Sequence, residues 1–156
     1  MHMRLIAVGD RQPSWVDAAV DDYVRRLPRQ WRFLLEPVSL GKRAAGGSAN
    51  TAIAEEGRKI LGRVKPGDFL VVLDERGDSL SSTAFADRLD EWQQAGRDIA
   101  FVIGGPDGVS GDCMDRADFC LSLSPFTLPH GLARIMLIEQ LYRAWSLSAG
   151  HPYHRT

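Results

Sequence analysis

Short apolar runs alternate with stretches of helical periodicity along the whole chain, and this alternation limits the fold more than any single motif. Met3–Val8, Phe69–Leu73 (FLVVL), Ile99–Ile103 and Phe119–Leu123 read as near-continuous hydrophobic strands. Strands of that kind are buried on both faces, which marks a mainly parallel sheet. Parallel neighbours need crossover connections, and the helical stretches between the runs supply them. The expected fold class is therefore α/β, a mainly parallel sheet with helices on both faces. Arg32–Ser39 reads as a further strand, and Pro37, with no N–H to give a ladder, places it at an edge.

After the first strand, Val16, Ala19, Val20, Tyr23, Val24 and Leu27 recur at helical spacing. Ser14 is the expected cap, Asp17 sits in the first turn and Pro28 ends the helix. Further helices are expected over Thr51–Val64, from a Ser82 cap to Gly96, and over Asp112–Ala117. The last, Leu132–Ser148, is apolar around most of its circumference and must be covered on more than one side; a second copy of the chain is one expected cover. Gly41–Ser48 (GKRAAGGS) reads as a small, basic, mobile loop. A length of 156 residues fits one domain, spanning the whole chain, with a core large enough to need no metal or disulfide.

No apolar run approaches the ~20 residues of a membrane helix and the N-terminus lacks a signal-peptide pattern, so a cytoplasmic protein is expected. Cys113 and Cys120 read as reduced thiols, and two cysteines alone make no zinc site. A net charge of −1 leaves no global attraction for a polyanion, so any nucleic-acid contact must be local. One candidate is the segment 22–43, where Arg25, Arg26, Arg29, Arg32, Lys42 and Arg43 meet only Asp22 and Glu36. The basic C-terminal tail is another.

Open α/β sheets bind ligands beyond the carboxyl ends of their strands. Three such ends stand out: Leu73-Asp74-Glu75, the GGPDG of Gly104–Gly108, and Ser124–Gly131. GGPDG lacks both the dinucleotide-binding spacing and a Walker lysine, so it is a poor phosphate cradle, and alone it is explained by a tight turn. The third loop, with its prolines and apolar residues, suits a flat adenine in an apolar slot.

Together the pieces are more specific. IGGPDG, then SLSPFTLPHGLAR, then a helix carrying EQLYRAW, then HPYHR, resembles the SPOUT methyltransferase superfamily. Within it the chain is similar to the RlmH family, which methylates N3 of a pseudouridine in large-subunit ribosomal RNA. The resemblance runs from LIAVGD through YVRRL (23–27), Gly41-Lys42-Arg43 and Gly96-Arg97-Asp98 to the tail. It implies a C-terminal trefoil knot, which general topology rules would have argued against. It also implies S-adenosylmethionine held by Leu73, Gly104, Gly105, Leu123, Ser124, Pro125, Phe126, Thr127 and Leu128. The resemblance further implies a homodimer whose partner completes the site, 23S ribosomal RNA in the large subunit or whole ribosome as target, and no metal.

Methylating a ring nitrogen requires removing its proton or stabilising its anion. His130, His154 and Arg155 are the catalytic candidates, and Tyr153, His154 and Arg155 the substrate-binding ones. Histidine titrates near neutrality, arginine can favour an anion or hold phosphate, and tyrosine can stack on a base. His130, between Pro129 and Gly131, also suits a structural role beside the cofactor. Glu139 and Arg143 are spaced for a helical ion pair, and Arg134 faces either the site or a dimer seam. Two rival readings share the same sheet. One is an adenine-nucleotide-binding regulatory module without catalysis. The other, a hydrolase using His130 with Ser124 or Thr127, lacks a G-x-S-x-G elbow.

Overall fold

A computed structural model describes residues 1–43, 45 and 48–155. In chain order the elements are β1 (Met3–Val8), α1 (Ser14–Arg26), β2 (Leu34–Val38), α2 (Asn50–Leu61), β3 (Phe69–Ser79), α3 (Ser82–Gln94), β4 (Ile99–Ile103), α4 (Gly111–Arg116), β5 (Phe119–Ser122) and α5 (His130–Ala149). Short 3-10 turns cover Arg29–Trp31 and Pro152–Arg155. The strands form one sheet in the order β2-β1-β4-β3-β5, every pairing parallel, and β2 with Pro37 lies at an edge.

Alternation along each strand sorts the core into two layers. Leu5, Val71, Phe101 and Leu121 face α1, α3 and α5, burying against Val20, Phe85, Leu137 and Leu141. Ile6, Val72 and Val102 face the other way, onto Ile60 of α2 and Cys113 of α4. Each such side chain taken from water contributes about 1.5–3 kcal/mol. Arg4 pins the edge strand, bonding Glu36 of β2 at 2.9 Å, the Arg63 carbonyl at 2.8 Å, and Asp68.

Several local expectations shift. Ser14 is the first helical residue of α1 rather than its cap; Pro13, its φ set by the ring, makes the entry without a side-chain bond. Ser81, not Ser82, caps α3: its backbone is extended and its Oγ accepts from Ala84 N at 3.0 Å. β2 is shorter than expected because Arg32 takes a left-handed φ of 46°. β3 runs past Leu73 to Ser79, through a bulge described below. α5 packs between α1 and α3 of its own chain, which supplies much of the cover its apolar circumference demands. Leu132 on α5 and Trp15 on α1 remain 39% and 56% exposed. Of the Gly41–Ser48 loop, Ala44, Gly46 and Gly47 lie outside the described residues.

Candidate functional site

The carboxyl ends of β3, β4 and β5 open onto one cleft of about 570 Å3, within the range of small-molecule sites. Leu73, Gly105, Leu123, Ser124, Phe126, Thr127 and Leu128 line it, so three loops far apart in sequence converge. Gly104 and Pro125 are not among the lining residues. Asp74, Glu75, Arg76, Pro106, Asp107, Gly108 and Ala133 complete the wall. Arg76 and Ala133 were not singled out from the sequence. The available signal was position alone, immediately beyond a strand end or at the start of the following helix.

A bulge shapes the β3 side of the cleft. Leu73 and Asp78 both pair with Leu121, and residues 74–77 leave the ladder between them. Gly77 is required there, because a Cβ would stand 2.7 Å from the backbone carbonyl of Cys120. Arg76 grips Asp74 with two bonds, Nε to Oδ1 at 2.8 Å and Nη2 to Oδ2 at 3.0 Å. That grip holds the Asp74 carboxyl below its usual range against the opposing effect of burial, so it stays ionised at neutral pH. Thr127 Oγ1 reaches Glu75 Oε2 at 3.5 Å and joins the last loop to the bulge.

The glycine loop is equally constrained. A Cβ on Gly104 would lie 2.9 Å from Gly108 O, and one on Gly105 would lie 2.8 Å from Glu56 Oε1. Glu56 is 2% exposed; its Oε2 accepts from Gly41 N and from Arg43 Nη1, each at 2.9 Å. Arg43 Nε donates onward to Asp107 Oδ2 at 2.8 Å. The basic Gly41-Lys42-Arg43 stretch is therefore tied to the cleft wall, and the Arg43 guanidinium is engaged within the chain.

The two candidate histidines differ in the lone pair they offer. His130 Nδ1 lies 3.0 Å from Gly104 O, a carbonyl that only accepts, so Nδ1 carries the proton. Its Nε2 lone pair then takes a hydrogen bond from Arg134 Nη2 at 3.2 Å. Burial, and secondarily Arg134, push the His130 pKa below 6.5. At His154, Ser146 Oγ donates its proton to His151 O at 2.7 Å and so accepts from His154 Nδ1 at 3.0 Å. The proton again sits on Nδ1, but no hydrogen bond engages Nε2 among the described residues. His154 thus has the form of a base, and His130 that of a tie.

Tyr153, His154 and Arg155 do not meet the cleft of their own chain. α5 starts at the cleft and runs 20 residues away from it, about 30 Å. The tail beyond α5 folds back along the helix, where Tyr153 packs on Tyr142 with ring centroids 4.5 Å apart, beneath Arg143 at 5.2 Å. Its hydroxyl donates to Glu139 Oε1 at 3.0 Å and accepts from Tyr23 at 3.1 Å. Glu139 also holds Arg143 at 2.7 Å, the helical pair expected from their spacing. Arg26 at the end of α1 shares this face, stacking on Tyr23 and Tyr142.

Among the described residues, no helix is long and apolar enough to cross a membrane, and no three His, Cys, Asp or Glu side chains cluster as a metal site. Both cysteines are free thiols.

Residues 1–154 match a family model described as "Predicted SPOUT methyltransferase". A protein of Methylibium petroleiphilum named ribosomal RNA large subunit methyltransferase H is 47% identical over 155 residues, 99% of each chain. A protein of the same name from Burkholderia cenocepacia is 45% identical over 155 residues, again 99% of each. Among solved structures, the tRNA (m1G37) methyltransferase of Aquifex aeolicus superposes with a TM-score of 0.56 at 15% identity. That match covers 92% of this chain and 70% of the other, and it speaks to the fold alone.

Proposed function

This chain belongs to the SPOUT methyltransferase family, and from that membership we propose that it transfers a methyl group from S-adenosylmethionine to N3 of a pseudouridine in 23S ribosomal RNA. The target is the large subunit or the whole ribosome, and the protein works in the cytoplasm as one SPOUT domain. The observation that carries the reading is the convergence of Leu73, Gly105 and Phe126 on one cleft at the carboxyl edge of the sheet. The knotted path implied by the resemblance is part of the proposal; it would keep the glycine loop and the 123–129 segment from separating without rethreading the chain.

The residues present fit the cofactor. Leu73, Leu123 and Leu128 offer an apolar wall for adenine, and the packed glycine loop brings backbone close. Asp74, Glu75 and Asp107 line the same cleft and suit a ligand bearing a sulfonium and an ammonium. When bound, S-adenosylmethionine supplies an electrophilic methyl group, so the protein must align the attacking nitrogen and exclude water.

We further propose that the protein acts as a homodimer in which the partner's tail completes each site. Within one chain Tyr153, His154 and Arg155 are absent from the cleft lining, and Tyr153 is tied to Glu139 and Tyr23, so a second copy is the proposed means of bringing a tail to a cleft. In this arrangement the Nε2 lone pair of His154 takes the N3 proton. Arg155 stabilises the nucleobase anion or holds a phosphate. Tyr153 anchors the tail, and His130 positions the cleft rather than moving protons.

Labelled S-adenosylmethionine incubated with intact ribosomes and with separated subunits tests the proposal. Label is expected in large-subunit RNA at a pseudouridine. No transfer to either, with ATP binding as tight as S-adenosylhomocysteine, would favour the non-catalytic nucleotide-binding module instead.

A further inference from the structure

Arg134 is 2% exposed, and its Nε has no hydrogen-bond partner among the described residues. No carboxylate pairs with it among the described residues; Asp17 on α1 acts on it only through space. A buried guanidinium without an anion is costly, so its remaining contacts must justify it. Those contacts are both made by Nη2: one to Gly9 O at 2.9 Å, at the end of β1, and one to His130 Nε2 at 3.2 Å. His130 in turn donates from Nδ1 to Gly104 O, the first residue of the glycine loop beyond β4.

We infer that Arg134 is a positioning residue that, through His130, holds the glycine loop against the cleft; this rests on the cleft being the cofactor site. The physical device is tautomer control. A neutral imidazole free of constraint populates both tautomers, and only the Nδ1–H form can donate to Gly104 O. By occupying the Nε2 lone pair, Arg134 selects that form. Because it also holds Gly9 O, one guanidinium and one imidazole tie the ends of β1 and β4 to the start of α5. Gly104 has little room to adjust on its own, since even an added Cβ would stand 2.9 Å from Gly108 O and from Val109. Any loss of the tie is therefore passed to Gly105 and Asp107 on the cleft wall.

The test uses the full chain, nitrogen NMR of the His130 ring, and calorimetry with S-adenosylhomocysteine. Arg134→Met is expected to give mixed His130 tautomers and about tenfold weaker binding, the scale of one hydrogen bond. Arg134→Lys should recover part of both. His130→Asn places an amide donor near the former Nδ1 and should bind more tightly than His130→Ala. If Arg134→Met fails to fold, this histidine pair still decides, and equal affinities for the two would overturn the inference. So would a folded Arg134→Met with the wild-type tautomer and affinity. A wild-type protein that binds no S-adenosylhomocysteine would overturn the cleft assignment and this role with it, a failure recognisable because the ligand-free tautomer would still report the Arg134 contact.

Discussion

Tyr153 and Glu139 are joined by a 3.0 Å hydrogen bond that folds the tail back onto the middle of α5 and fastens it there. Tyr153→Phe keeps the ring packed on Tyr142 but removes the bonds to Glu139 and Tyr23. A destabilisation of about 1 kcal/mol is expected in urea unfolding. Binding of S-adenosylhomocysteine should be unchanged, because none of Tyr153, Glu139 and Tyr23 lines the cleft. Methyl transfer should fall.

Shared sites predict complementation between inactive chains. A chain with Gly104→Val should lose the cleft, and a chain with His154→Ala and Arg155→Ala should lose the tail chemistry. Each homodimer is expected to be inactive. Mixing and re-equilibrating the two should restore about a quarter of wild-type activity, since half the dimers become mixed and carry one intact site. Continued silence of the mixture would contradict a site shared between subunits.

Gly77→Ala forces a Cβ to within 2.7 Å of the Cys120 backbone, where neither strand has a flexible side chain to give way. A loss of about 1–3 kcal/mol is expected, the scale of overpacking in a tight core. Because Asp74 and Arg76 sit in the same bulge, cofactor affinity should weaken with stability. Thermal melting and calorimetry on the same sample check both.

His130 predicts the acid limb of stability. Its folded pKa lies below 6.5 because of burial and then Arg134, with Asp17 of α1 facing Arg134 from the packed helix. As pH falls below 6.5 the unfolded chain takes up a proton that the folded chain resists. The stability from neutral His130 is therefore full above that pH and lost as pH falls toward the lower folded value. His130→Asn should flatten this part of the profile. Parallel melting curves for the two proteins across the window, superimposable after a constant offset, would contradict it.

Ribosomal RNA affinity should fall steeply with salt, because a net charge of −1 leaves attraction to local basic patches. Arg25 is 76% exposed on its side chain and lies two residues along α1 from Tyr23, which bonds Tyr153 of the tail. Arg25→Ala with Arg29→Ala should lower the salt slope. Arg43→Ala is expected to act differently, loosening the Asp107 wall and weakening cofactor binding instead.

Much of the fold was legible because its causes are local. Apolar runs such as FLVVL can only be buried strands, Pro37 can only stand at an edge, and Val16, Val20 and Leu27 mark one helix face. The strand-end rule then pointed at the loops that line the cleft. Cap assignments slipped by one residue at Ser81 because neighbouring serines carry the same chemistry, and only backbone angles separate them. The extension of β3 was hidden because DERGDS is polar, and its pairing with β5 depends on a partner strand more than 40 residues away.

The order and type of elements, the parallel sheet and the three candidate loops were determined by the sequence alone, through hydrophobic period and the stereochemistry of proline and glycine. Tertiary structure decided which polar groups meet. It put the lone pair of His130 under Arg134, left that of His154 without a hydrogen bond among the described residues, tied Arg43 to Asp107, and folded the tail back onto α5, outside the cleft lining. Those pairings join residues distant in the chain, and a hydrogen bond a few ångströms long leaves no periodic trace in the sequence that specifies it.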